Sequence, residues 1–151
     1  MCNLIEENDL TLVNLSVELE RAVIGHDLKD NKSIYVTEGD WFPFWLRVLK
    51  KPHFITLHTF TYFRKNTTLL ERLELCNSFN LSYYMVAAHV KDDRIYFDHA
   101  LTYKDGILRE NLIRICRLFS EQIASGINEF DPEFAIMLRP GQSEEEDAQN
   151  D

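Results

Sequence analysis

Cysteine is scarce in this chain: Cys2, Cys76 and Cys116 are the three present. An odd number with no Cys-x-x-Cys pair supports neither a disulfide framework nor a zinc ribbon, so the thiols are read as free in a reducing compartment. Glycine is scarce too, with five in 151 residues, and none builds the Gly-rich turn that wraps a phosphate chain. Gly-x-Ser-x-Gly and His-Glu-x-x-His are both missing, which removes the two commonest hydrolase motifs. No apolar run approaches the ~20 residues a bilayer span needs. The N-terminus lacks a basic stretch and an apolar core, so it is not a signal peptide, and Cys2 lacks the upstream signal for lipidation. Basic charge is in deficit, 16 Lys and Arg against 25 Asp and Glu, for a net −9. Such a chain has no electrostatic reason to seek nucleic acid or anionic membrane. A cytoplasmic protein without nucleic-acid or membrane partners is expected.

What is present is ordinary globular material, 45% hydrophobic and 27% charged, enough for one domain with a proper core. Five acids, Glu144, Glu145, Glu146, Asp147 and Asp151, crowd the C-terminus. Residues 1–139 read as the domain. Residues 140–151 read as an acidic tail with too little apolar content to order itself.

Helical periodicity occurs three times. Leu12, Leu15, Leu19 and Val23 form one stripe, with Asn8 or Asp9 placed to cap its start and Gly25 to stop it. Leu69, Leu70, Leu73 and Cys76 form a second, begun at Asn66 or Thr67 and ending about Asn80. Leu108, Leu112, Ile115, Phe119 and Ile123 form a third, opened by Asp105-Gly106 and closed by Gly126. Asp131-Pro132 is placed to begin a further turn. Between the first two helices, residues 26–32 read as a polar loop. Residues 33–37, 42–49 and 54–63 read as strands rich in β-branched and aromatic side chains. Residues 82–90 and 94–103 form the clearest hairpin, turning at Lys91-Asp92-Asp93. If Val90 pairs with Ile95, Ala88 faces Phe97 and His89 faces Tyr96. Both faces of that hairpin then carry apolar groups, one for helices and one for a second subunit. The expected fold is α+β: an antiparallel sheet of about five strands against helices, in the order α-β-β-β-α-β-β-α.

The helix-terminal Asn77-x-x-Asn80, the Asp92-Asp93 hairpin with its small Ala87-Ala88, and Asp105-Gly106-Ile107-x-x-Glu110-Asn111-Leu112 occur in a telling order. In these features the stretch from Leu73 to Phe119 resembles the YbjN domain family, labelled as bacterial sensory transduction regulators. That family resembles the type III secretion chaperone fold, an α+β sandwich. The resemblance implies a homodimer that holds a segment of a partner protein. It implies no catalytic residue.

Trp41, Phe42, Phe44 and Trp45 are the sharpest candidates for a binding surface, because bulky rings are enriched at interface centres. Alternation places Phe42 and Phe44 on one face and Trp41 and Trp45 on the other. The competing reading is a central strand buried on both faces. Met85 and Tyr96 extend the candidate surface. Asn77 and Asn80 are read chiefly as helix-end residues satisfying backbone groups, and with His99 as candidates for lining a ligand pocket. Cys76 and Cys116 fall on apolar stripes and read as core. His58, His89 and His99 sit on three strands, with no spacing that enforces a metal site. Arg109, Arg114 and Arg117 read as a solvated helix face offset by Glu110 and Glu121. No cofactor, metal or catalytic group is expected. The leading reading is a non-enzymatic, protein-binding regulatory domain. The alternative is a small-molecule sensor with an apolar pocket between helices and sheet.

Overall fold

The computed structural model describes residues 3–143. A short β1 (Leu4–Ile5) precedes α1 (Leu12–Arg21), then β2 (His26–Lys29), β3 (Ser33–Val36), β4 (Phe44–Leu49) and β5 (Phe54–Tyr62). After them come α2 (Leu69–Ser82), β6 (Ala87–Lys91), β7 (Arg94–Thr102), β8 (Ile107–Leu108) and α3 (Arg109–Phe130). Among the described residues the main sheet has six strands in the order β2-β3-β4-β5-β7-β6, all pairs antiparallel. The additional strand is β2, in the stretch expected to be a polar loop. It pairs His26 with Val36 and Lys29 with Ser33, so its strand character comes from the neighbour's free edge rather than from its own polar residues. The hairpin register is as expected: Ala88 opposite Phe97, His89 opposite Tyr96, Val90 opposite Ile95.

Period-2 alternation sorts each strand into two faces. Ile34, Val36, Phe44, Leu46, Ile55, Leu57, Ile95 and Phe97 point inward and join the buried residues of the helices in one core. Phe44 meets Phe119 of α3 edge-on with centroids 5.3 Å apart, and Phe97 lies 4.9 Å from Phe79 of α2.

The helix ends differ in detail from their sequence reading. Thr11, not Asn8 or Asp9, caps α1 by accepting from the Asn14 amide at 3.2 Å; the two earlier residues lie in or beside a 3-10 turn, Glu7–Asp9. The left-handed residue closing α1 is Val23, at φ 58°, rather than Gly25. Thr68 caps α2, because Glu71 three residues on completes a reciprocal capping box that Asn66 and Thr67 lack. Hydrogen bonding to Thr68 holds the Glu71 carboxyl below its ordinary value. The buried side of α2 is Leu75, Cys76 and Phe79, whereas Leu69, Leu70 and Leu73 are exposed. Docking of Phe79 sets the helix rotation, and the leucine stripe read as core turns outward. Gly126 does not end α3, which runs on to Phe130.

Asp131 does begin the expected turn, closed by the Phe134 amide on the Asp131 carbonyl at 3.0 Å, and no helix follows it among the described residues. It is the buried C-cap of α3, and its carboxylate accepts from the amides of Ala135, Ile136 and Met137 at 2.7–3.1 Å. The strap so held runs beside the end of β5: Arg64 N–H donates to Ile136 and Leu138 N–H to Tyr62, both at 2.8 Å. A turn at residues 139–142 follows, closed by the Gln142 amide on the Arg139 carbonyl. The remainder of the expected acidic tail, residues 144–151, lies outside the described residues, as does Cys2.

Candidate functional site

All three helices bury their apolar residues against the inner face of the sheet. The outer face of β3, β4, β5 and β7 keeps a set of half-buried rings: Tyr35, Trp45, Phe60, Tyr62 and Tyr96. Strand register builds the set. Tyr35 is opposite Trp45, with ring centroids 4.4 Å apart, and Trp45 is opposite His58. Phe60 is opposite Tyr96, at 5.5 Å, and Tyr96 stacks on His89 at 5.4 Å. Arg94 lies 4.8 Å over Phe60 and 4.7 Å over Tyr62, a cation–π arrangement bridging two rings that meet edge-on at 6.1 Å. At one end Pro43 and residues 140–143 border these rings and enclose a groove of about 340 Å³.

His58 stands at the middle of this face, opposite Asp98 on β7. Burial, then the nearby Arg47 charge, lower its pKa from 6.5 to about 4, so the ring is neutral at physiological pH. Asp98 pairs with His89 at 3.3 Å. Burial raises the Asp98 carboxyl and the His89 charge partly opposes that.

The aromatic run from Trp41 to Trp45 does not form one surface. Phe42 and Phe44 are core residues, with Phe42 edge-on to Phe97 at 6.2 Å. They are corrected from surface to core: the helices cover their face of the sheet. Trp45 alone of the four reaches the outer face. Trp41 precedes the strand and lines a separate cavity of about 270 Å³ with Ile127 and Phe134. Tyr96 sits on the outer face. Met85 is half-buried beside α3, its amide bonded to Gln122 Oε1 at 2.9 Å. Tyr35, Phe60 and Tyr62 were missed as site residues, although alternation with Thr59 and Thr61 already placed Phe60 and Tyr62 together.

Asn80 and His99 do come together, in an open cleft of about 610 Å³ where β6 stops short of β7; Tyr84 and Val86 help line it. Asn80 lies within α2, not at its end. Its Oδ1 accepts from the Ala88 amide at 2.7 Å and its Nδ2 donates to the Ala88 carbonyl at 2.9 Å. Asn77 is exposed on α2 and takes no part in this cleft. Burial lowers the His99 pKa, so it too is neutral at pH 7.

The fold and these surfaces can be set against known proteins. The YbjN family, described as "Putative bacterial sensory transduction regulator", matches residues 11–132. The chain belongs to the YbjN family. Among solved structures it is similar to YbjN from E. coli, titled "a putative transcription regulator", with a TM-score of 0.68 and 19% identity. The alignment covers 84% of this chain and 95% of that one. At that identity the likeness is one of fold. No curated protein matches the sequence.

The YbjN family's description is that of a regulator and names no reaction. In this YbjN-family chain, burial raises the Cys76 and Cys116 thiols to about 11 and about 12. Both are free and buried. A nucleophilic cysteine needs the opposite, a stabilised and accessible thiolate. Among the described residues no three His, Cys, Asp or Glu side chains are grouped to hold a metal, and no helix is long and apolar enough to cross a membrane.

Proposed function

We propose that this chain is a non-enzymatic regulatory domain that acts by binding protein. In this reading the outer sheet face, centred on Trp45, Phe60 and Tyr96, is the contact surface. It forms a homodimer that holds a segment of a partner protein, as the secretion-chaperone likeness of the family suggests. The observation that carries the reading is that face itself. Contiguous half-exposed rings with no helix over them among the described residues are uncommon on a monomer and are the composition of interface centres. The E. coli relative's title speaks of transcription; a net charge of −9 favours regulation through protein contact over direct attraction to DNA.

Light scattering across a dilution series tests this. A dimer of twice the 17.8 kDa chain mass is expected. The double variant Trp45→Ser/Tyr96→Ser should dissociate to monomer with an unchanged circular dichroism spectrum. A wild-type chain that stays monomeric at every concentration, or a double variant that stays dimeric, overturns the surface assignment.

The cleft beside Asn80 and His99 supports a second reading, a small-molecule sensor. Its volume suits a small ligand and its neutral imidazole is a donor or acceptor facing that space. Asn80 is committed to Ala88, so recognition in this reading falls to His99 and Tyr84 with Thr56 and Asp98. A thermal shift with a metabolite that His99→Ala abolishes would favour this reading over the first.

A further inference from the structure

On the helical side, α1 and α3 enclose a groove of about 450 Å³ into which Arg21, Arg109, Arg114 and Arg117 all face. The concentration is unexpected in a chain whose acids outnumber its bases, 25 to 16. Three of the arginines belong to one helix. Arg109 and Arg117 are eight residues apart with Ile113 midway, which aligns them along one side of α3, and Arg114 lies beside them. Arg21 arrives from the last turn of α1. The sequence reading of a diffuse solvated face did not include this fourth cation or the concavity.

Two carboxylates, Glu18 and Glu110, share the lining. Glu18 is buried and already committed: Oε1 meets Arg21 Nη1 at 2.9 Å and Oε2 meets Arg109 Nε. It ties one guanidinium from each helix in place, and with Glu110, which accepts from Asn3 Nδ2 at 3.3 Å, it offsets two of the four charges, so the groove stays net positive by the two arginines left. Arg114 and Arg117 make no ion pair or side-chain hydrogen bond among the described residues, and both are exposed. The positive end of the 22-residue α3 lies at Arg109 and adds to the same potential. Every cation here is arginine, whose planar fork matches phosphate oxygens in a two-point contact that lysine cannot reproduce. Between the cations Ala22 and Ile113 supply an apolar surface.

We propose that this groove binds a soluble, phosphate-bearing small molecule. Arg114 and Arg117 supply the free guanidiniums, Arg21 and Arg109 are the pair pre-oriented by Glu18, and the organic part of the ligand rests on Ala22 and Ile113. The site is separate from the outer sheet face and does not depend on the function proposed for that face.

Calorimetric titration of the full chain at low salt with inorganic pyrophosphate and with a nucleoside diphosphate tests the site; the parent nucleoside serves as the uncharged control. Both phosphate probes should bind and the nucleoside should not. Arg114→Gln/Arg117→Gln should weaken binding at least about tenfold while leaving the melting temperature unchanged. Lys32→Gln/Lys104→Gln removes the same net charge from exposed loops and should leave binding intact. Absence of binding to both probes at about 1 mM, equal weakening by the two double variants, or binding only to anionic vesicles would each overturn the proposal.

Discussion

The ring of Phe79 on α2 lies against the bare backbone of Gly126 on α3. A Cβ at Gly126 would stand 2.1 Å from Phe79 Cε1. The glycine is therefore kept inside a helix, where it is otherwise unfavourable, so that the largest side chain of α2 can reach Phe97 and Phe130.

Gly126→Ala should destabilise the domain by about 2 kcal/mol or more, since overpacking outweighs the gain in helix propensity. Phe79→Leu should lower the cost of Gly126→Ala when the two are combined. Chemical denaturation of the two single variants and the double variant measures the coupling. Simple additivity would show that the close approach is not what requires glycine.

Asn80 offers the edge strand β6 a substitute for a neighbouring strand, donating to and accepting from the same residue, Ala88. Asn80→Ala should cost about 1 kcal/mol and leave both Ala88 backbone groups to water. Hydrogen exchange should show the Ala88 amide losing protection while amides of the central β5 keep theirs. An unchanged Ala88 rate would contradict the pairing.

Asp131 holds the strap after α3 through the Ala135, Ile136 and Met137 amides. Asp131→Ala should lower stability by about 3 kcal/mol, because the buried Met137 amide and the less buried Ala135 and Ile136 amides lose their shared carboxylate acceptor. Asp131→Asn, which retains one oxygen, should lose less. Thermal melts of both, with limited proteolysis of the strap, check the order of the effects.

His58 makes stability depend on pH. Its folded pKa of about 4 is below the ordinary 6.5, so the unfolded chain binds the extra proton first as pH falls. The stability tied to the neutral ring is present above pH 6.5 and is lost as pH drops from 6.5 towards 4. Partial exposure of the ring limits the effect to about 1–2 kcal/mol. Asp98, whose carboxyl is raised by burial, works in the opposite sense nearer its own range. Urea midpoints between pH 7 and pH 4.5 should fall more steeply for the wild type than for His58→Gln. Parallel profiles would remove His58 as the source.

The α+β class, three helices, and the hairpin's turn and register were legible in the residues alone, whereas its first strand, read from Ser82, begins at Ala87 because α2 runs on to Ser82. The legible features follow from local patterns: period-2 alternation from Arg94 to Thr102, 3.6-residue periodicity in α3, and a turn at Asp92 that only one pairing satisfies. Local pattern also marked Trp45 and Tyr96, and it placed Cys76 and Cys116 in the core. It did not show which side of a two-sided apolar element is covered. Leu69, Leu70 and Leu73 are as apolar as Leu75, Cys76 and Phe79, and only the meeting of Phe79 with Gly126 chose between the two faces of α2. Phe42 and Phe44 parted from Trp45 for the same reason, because α3 lies on one side of β4. The strand β2 was invisible because its residues are polar and its stability comes from pairing with β3. Asn80 with Ala88, and Arg21 with Arg109, are meetings of residues far apart in the chain; packing of the elements created them, and no periodicity within a single segment encodes them.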